Sequence, residues 1–372
     1  MRRLSPTPAV WLGAPSPGGL ALPDAQPTPS QVYAPRGVWL TERGLIAADS
    51  GNHRLLIWHE RPTQDGQAAD VVLGQPDFTR EGPAAGGRGP ANGLYLPTGV
   101  AVYEGRLYVA DSWHHRVLVW ETLPEASDQP PDYALGQPDL SSVQENQGGP
   151  PCADTLYWPY GLGYVNGWFY ITDTGNRRVL GWRGFPEPGQ PADLVLGQDT
   201  PGDALENRGD AVSARNFRWP HAVAGDETSL YVADAGNHRV LGWSPAPEAD
   251  RPADLVLGQP GFETAQEFAY VKQGAGRLRF PYAISLEDDL MAVADTANNR
   301  VLLWQNPPRS GCGHPADSVI GQANMDANGE NEWKAVTHHT LCWPYGLHLR
   351  AGWLAIADSG NNRVMLWRVE SQ

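Results

Sequence analysis

The segment HHTLCWPYG, residues 338–346, places His338, His339 and Cys342 within five residues. Imidazole and thiolate are ligands for soft metals, and a thiol beside an imidazole is also a nucleophile with its base. Either chemistry needs partners, and the chain has no HxH or HExxH pattern to supply them at a set spacing. The remaining residues of chemical interest are His221, His348, Tyr160, Tyr282, Tyr345 and Arg36. A transition metal such as zinc, held among His221, His339, Cys342 and His348, would make a metal-dependent enzyme such as a hydrolase. In such a site the tyrosines would move protons and Arg36 would stabilise an anion. The cofactor itself is not readable from these residues. Whether 338–346 is a site or a variant of something regular depends on the elements that place it.

Those elements repeat. DSGNHRLLIW at 49–58 returns as DSWHHRVLVW at 111, DTGNRRVLGW at 173, DAGNHRVLGW at 234, DTANNRVLLW at 295 and DSGNNRVMLW at 358, at steps of 61 to 63 residues. Each period carries four strand-like runs bounded by Gly, Pro and Asn. The first follows a proline (Pro35, Pro97, Pro159, Pro220, Pro281, Pro344). The second ends at the repeated Asp, the third is the RVLxW run, and the fourth contains LGQ or IGQ. Four antiparallel strands per period make a propeller blade, so six periods predict an all-β, six-bladed β-propeller as a single domain over residues 1–372. Only five residues follow Trp367, too few for a last fourth strand. PAVWLGAPSPG at 8–18 resembles PADLVLGQPG at 252–261, so Val10, Trp11 and Leu12 are expected to complete the sixth blade and close the ring.

The DxGNxR turn followed by an apolar run is similar to the repeats of the NHL-repeat β-propeller family, over residues 8–369, and the LGQ element looks like a bacterial subgroup. The resemblance implies the fold. Family activities are diverse, and some relatives are metal-dependent lyases with histidine-rich sites near the axis.

The repeat also sorts scaffold from site. Asp49, Asp111, Asp173, Asp234, Asp295 and Asp358 can accept from turn amides. Arg54, Arg116, Arg178, Arg239, Arg300 and Arg363, each five residues later, predict a charge-assisted clamp across the turn or to the next blade. Six equal copies around a ring cannot all serve one substrate. Six of the 15 tryptophans end third strands and are expected to seal the wedge between blades. The LGQ glutamines are expected to bond across blades. His53, His115 and His238 fall in the fifth turn position, read as an exposed slot.

In this frame Leu341 and Trp343 are packing positions, while His339 and Cys342 stand where the copies vary. The residue after each proline varies too: Arg36, Thr98, Tyr160, His221, Tyr282 and Tyr345 are expected to ring one axial mouth. The next position is always Gly or Ala. Long connections at 76–94, 138–156, 199–217, 260–278 and 323–341 would form a rim on that face. The ring suits a small polar or aromatic molecule, or a peptide. A protein-interaction scaffold is the other non-enzymatic reading.

Bulk composition bounds the partners. The net charge is −15 and only two lysines occur, Lys272 and Lys334, so no basic footprint for nucleic acid is present. No run of 18 apolar residues predicts a membrane span. Prolines interrupt the N-terminal MRRLSPTPAVWLGAPSPG, so no signal peptide is read. Three cysteines without a CxxC fit reduced thiols in the cytoplasm.

Overall fold

The computed structural model describes residues 4–13, 26–267 and 271–371. It contains six sheets arranged as the blades of a β-propeller. Blade three shows the pattern: innermost Pro159–Val165, then Trp168–Asp173, Arg178–Arg183 and outer Leu194–Leu196, paired antiparallel in that order.

Side chains of a strand alternate between faces, and here each face meets a different blade. In blade one, Ala47, Leu56 and Val72 pack against Ala355, Val364 and Leu366 of blade six. Their neighbours Ile46, Leu55 and Val71 pack against Leu107, Val109 and Leu118 of blade two. The other hydrophobic clusters likewise join successive blades, so the core is a ring of interfaces. Trp58, Trp120, Trp182, Trp243 and Trp304 seal these wedges. Each donates its indole N–H to a carbonyl of the loop that follows, 3.0–3.2 Å away.

The strand Leu4–Gly13 pairs antiparallel with Arg363–Ser371, with Trp11 opposite Met365 and Leu12 opposite Val364. The closing strand is therefore longer than the three residues expected, while residues 14–18 of the expected segment lie outside the described residues. Blade four departs from the four-stranded plan. Gly311–Cys312, from the excursion of blade five, adds a fifth strand parallel to Leu255–Leu257 and covers that outer edge.

The repeated turns hold the ring in three ways. Arg54 Nε donates to Asp49 Oδ2 at 2.7 Å, and its other nitrogens donate to the carbonyls of Phe78, Thr28 and Gln31. The same Arg–Asp pairing recurs, fully buried, in all six blades. The second turn residue reaches the next blade, as when Ser50 Oγ donates to the Pro97 carbonyl at 2.6 Å. The fifth position does so as well. His53, His115 and His238 accept the backbone N–H of Leu96, Trp158 and Phe280 on Nδ1, and Asn299 and Asn362 accept on Oδ1. In five of the six blades this corrects the exposed-slot reading: the slot holds an acceptor that meets an amide of the next blade, whereas in blade three Arg177 donates to the Gly175 and Ala204 carbonyls instead. The glutamines also differ from expectation. Gln75 Nε2 bonds the carbonyls of Asn52 and His53 in its own blade and of Gly82 in the following loop.

Candidate functional site

In blades two to six the inner-strand register shifts just after the proline. Such a bulge releases a residue from the ladder and re-aims its side chain. The small residue next to it is required by the approach of adjacent inner strands. A Cβ on Gly99, Gly161 or Gly346 would lie 2.3–2.5 Å from a carbonyl oxygen of the next blade. Backbones that close leave no room for side chains at that level, so the preceding residues crowd the axis above it.

Five of the six residues expected there converge. The Arg36 guanidinium carbon lies 4.9 Å from the centre of the Tyr345 ring. Tyr345 is 4.7 Å from Tyr282, Tyr282 is 4.3 Å from His221, and His221 is 4.4 Å from Tyr160. These side chains cap a cavity of about 230 Å³ on the axis. Thr98 is not with them. It is fully buried between blades two and three, its hydroxyl 2.6 Å from Ser112 Oγ and donating to the Tyr160 carbonyl at 3.1 Å.

Beneath the ring lies a collar of Val38, Val100, Leu162, Val223, Ile284 and Leu347, then Trp39, Tyr103, Tyr164, Ser285 and His348. His348 stacks on Trp39 at 3.7 Å and accepts the Leu40 N–H on Nδ1 at 3.0 Å, so the neutral ring carries its proton on Nε2. Trp39 and Tyr103 are not among the residues that the position after each proline singles out. A signal existed, because the fifth residue of the proline-led strand varies as the ring position does: Trp39, Ala101, Gly163, Ala224, Ser285, His348.

Burial keeps His221, Tyr160 and Tyr282 uncharged around the Arg36 cation. Burial pushes the His221 pKa down to about 3 and that of His348 likewise to about 3. His221 Nδ1 lies 2.9 Å from the Trp219 carbonyl, which can only accept, so Nε2 is left as a bare acceptor. Burial also pushes Tyr282 up to about 12, and Tyr160 higher still. For Arg36 burial opposes the charge, but the facing hydroxyls of Tyr160, Tyr345 and Tyr282 outweigh it and the pKa is raised.

A neutral buried histidine has a consequence for acid stability. Above pH 6.5 the folded and unfolded His221 are both uncharged and the group contributes nothing. As pH falls below 6.5 the unfolded chain takes a proton that the folded ring refuses until about pH 3, so stability is lost across that window. Urea titrations at pH 7 and pH 5 should show His221→Gln losing less stability than the parent, by up to about 2 kcal/mol. Equal losses in the two proteins would contradict this.

The two histidines and the cysteine of the opening segment lie away from the axis, although its Tyr345 belongs to the ring. His338 Nε2 is 2.9 Å from Asp65 Oδ2, beside Trp11 of the closing strand. His339 is exposed, its ring 6.1 Å from that of Trp367. Cys342 is buried where other blades place Tyr33, Tyr95 and Tyr157. Its sulfur covers Gly360 as the rings of Tyr33 and Tyr157 cover Gly51 and Gly175, and its N–H donates to Asp358 Oδ1 at 2.7 Å. Burial, with the nearby Asp358, raises its thiol to about 12, which removes the nucleophile. So His221 and His348 reach the axial cavity while His339 and Cys342 do not. Among the described residues no three His, Cys, Asp or Glu side chains form a metal-binding group.

The fold and site define a class. The NHL repeat model matches residues 94–120, which hold the first three strands of blade two and the turn between the second and third. No curated protein matches the sequence. A protein of unknown function from Bacteroides thetaiotaomicron has a similar structure, with TM-score 0.50 and 12% identity over 100% of this chain and 77% of that one. Streptogramin B lyase gives TM-score 0.49 and 11% identity over 99% and 98%. At such identities the likeness is one of fold. The chain is thus a six-bladed β-propeller containing an NHL repeat, an architecture consistent with ligand binding or interaction in general.

Proposed function

We propose that residues 1–372 act as one closed binding module that takes a small polar or aromatic molecule into the axial cavity. The observation that carries this reading is the convergence of Arg36, Tyr160, His221, Tyr282 and Tyr345, from five different blades, at a position the repeat leaves free to vary. Stacking surfaces, hydroxyl donors and one imidazole acceptor then face one space. Its volume of about 230 Å³ falls below the ~300–1,000 Å³ usual for drug-sized ligands. That favours a small molecule over a peptide. The three free cysteines, two of them exposed, fit a cytoplasmic setting. No helix among the described residues is long and apolar enough to cross a membrane.

Differential scanning fluorimetry against metabolite classes tests the reading. A stabilising ligand should lose its effect in Arg36→Ala and in Tyr345→Ala. Stabilisation that survives both changes would place the ligand elsewhere.

One observation favours a second reading, a protein-interaction scaffold. Tyr33, Trp113, Trp333 and Trp343 are 45–76% exposed, and all lie on turns or entry loops of the same face. A partner captured by the parent but not by Trp113→Ala/Trp343→Ala would support it.

A further inference from the structure

We infer that the axial cavity is built for a carboxylate: a small monoanionic acid with an apolar or aromatic body. This rests on the reading of the cavity as a binding site and names the ligand's chemistry. Among the described residues Arg36 is the one formally charged side chain lining the space, and no Asp or Glu lines it. In a chain of net charge −15, the arginines that recur in all six blades are paired to aspartates. Arg36 faces tyrosines instead. Its guanidinium lies near the Tyr160 hydroxyl, yet Arg36 Nε and the Tyr160 oxygen are both buried without a hydrogen-bond partner of acceptable geometry. Tyr160 is only 3% exposed. Buried donors of this kind are costly to leave unmatched.

The group that suits this guanidinium is an acceptor with negative charge. A guanidinium presents a planar fork that matches a carboxylate with two parallel N–H···O bonds. A single cation balances a single negative charge, which a phosphate dianion exceeds. Below the ring the lining turns apolar: the aliphatic collar is 4–8% exposed and faces the same space. Trp39 and Tyr103 lie beyond it. A ligand therefore meets charge at one end and hydrocarbon at the other. His221 Nε2, an acceptor, adds a place for a ligand hydroxyl or amine next to the acid.

Matched pairs test this: mandelate against mandelamide, and phenylacetate against phenylacetamide, titrated calorimetrically into the full chain. The acid should bind at least ~10-fold tighter than its amide, about 1.4 kcal/mol. That preference should vanish in Arg36→Gln and persist in weakened form in Arg36→Lys. Melting curves of both variants establish that they fold. Amides binding as tightly as acids, with Tyr345→Ala weakening both, would overturn the carboxylate inference while leaving the cavity as a site. No binding by any member of either pair at millimolar concentration, while an uncharged molecule stabilises the parent but not Tyr345→Ala, would overturn the carboxylate inference alone; no stabilising molecule of any class would sink the cavity reading with it. Acetate or inorganic phosphate binding as tightly as the full acids would mean an adventitious ion only.

Discussion

Removing residues 1–13 should leave a chain that no longer unfolds cooperatively at ordinary temperature and that aggregates. Val10, Trp11 and Leu12 are almost fully buried in the sixth blade. Burying such side chains contributes roughly 1.5–3 kcal/mol each, so the three together rival the ~5–15 kcal/mol net stability of a typical domain. Two further effects act in the same direction. The strand Arg363–Ser371 becomes an open edge with unpaired backbone groups, a template for association. The cluster joining blades six and one also loses Val10 and Leu12. Leu12→Asp reports the same interface without shortening the chain. It places a charge at a fully buried site, and a loss of several kcal/mol is expected. The check is chemical denaturation with size-exclusion chromatography. A monomeric, cooperatively folding truncation with an unchanged midpoint would show that the ring does not depend on this strand.

The second large effect concerns the clamp. Arg178→Met should destabilise the protein by about 3–5 kcal/mol. Arg178 donates to Asp173 at 2.7 Å and to the carbonyls of Cys152 and Thr155, so its loss strands a buried carboxylate and the entry loop together. Burial already raises the Asp173 pKa with the arginine in place. Without Arg178 the carboxyl is pushed further up. The unfolded chain then releases its proton near pH 4 while the folded one holds it, so stability falls as pH rises. The deficit of Arg178→Met relative to the parent should therefore grow from pH 4 to pH 7. Arg178→Met/Asp173→Asn should recover part of it, because the amide keeps an acceptor for the Tyr157 N–H, which donates to Asp173 Oδ1 at 2.8 Å. A double variant worse than the single, or a deficit that does not change with pH, would contradict the account.

The architecture was legible because a propeller is written in its repeat. Each blade must present the same turn, the same alternating faces and the same clamp to its neighbours. Six aspartates, six arginines and a period near 60 therefore carry the blade count and the strand order, and the likeness of 8–18 to the outer-strand segment 252–261 carries the ring closure. The same redundancy made the axial ring visible, since a position free to vary beside one restricted to Gly or Ala stands out against identical copies. Redundancy also explains why the conspicuous letters of 338–346 proved ordinary. His338 and His339 sit on the loop that meets the closing strand, and Cys342 fills a tyrosine's place over a glycine.

What the chain alone determined is the scaffold and the list of positions it does not constrain. Only the tertiary structure decided which of those positions share a space. Thr98 is short and finds Ser112 and the Tyr160 carbonyl between the blades, so it leaves the ring. His348 and Trp39 lie 309 residues apart in the sequence and stack because the last blade closes against the first. Arg36 is one arginine among many in the sequence. It becomes distinctive only when the cavity is assembled and no Lys, Asp, Glu or second Arg among the described residues lines it, because charge balance in a cavity depends on neighbours drawn from several blades.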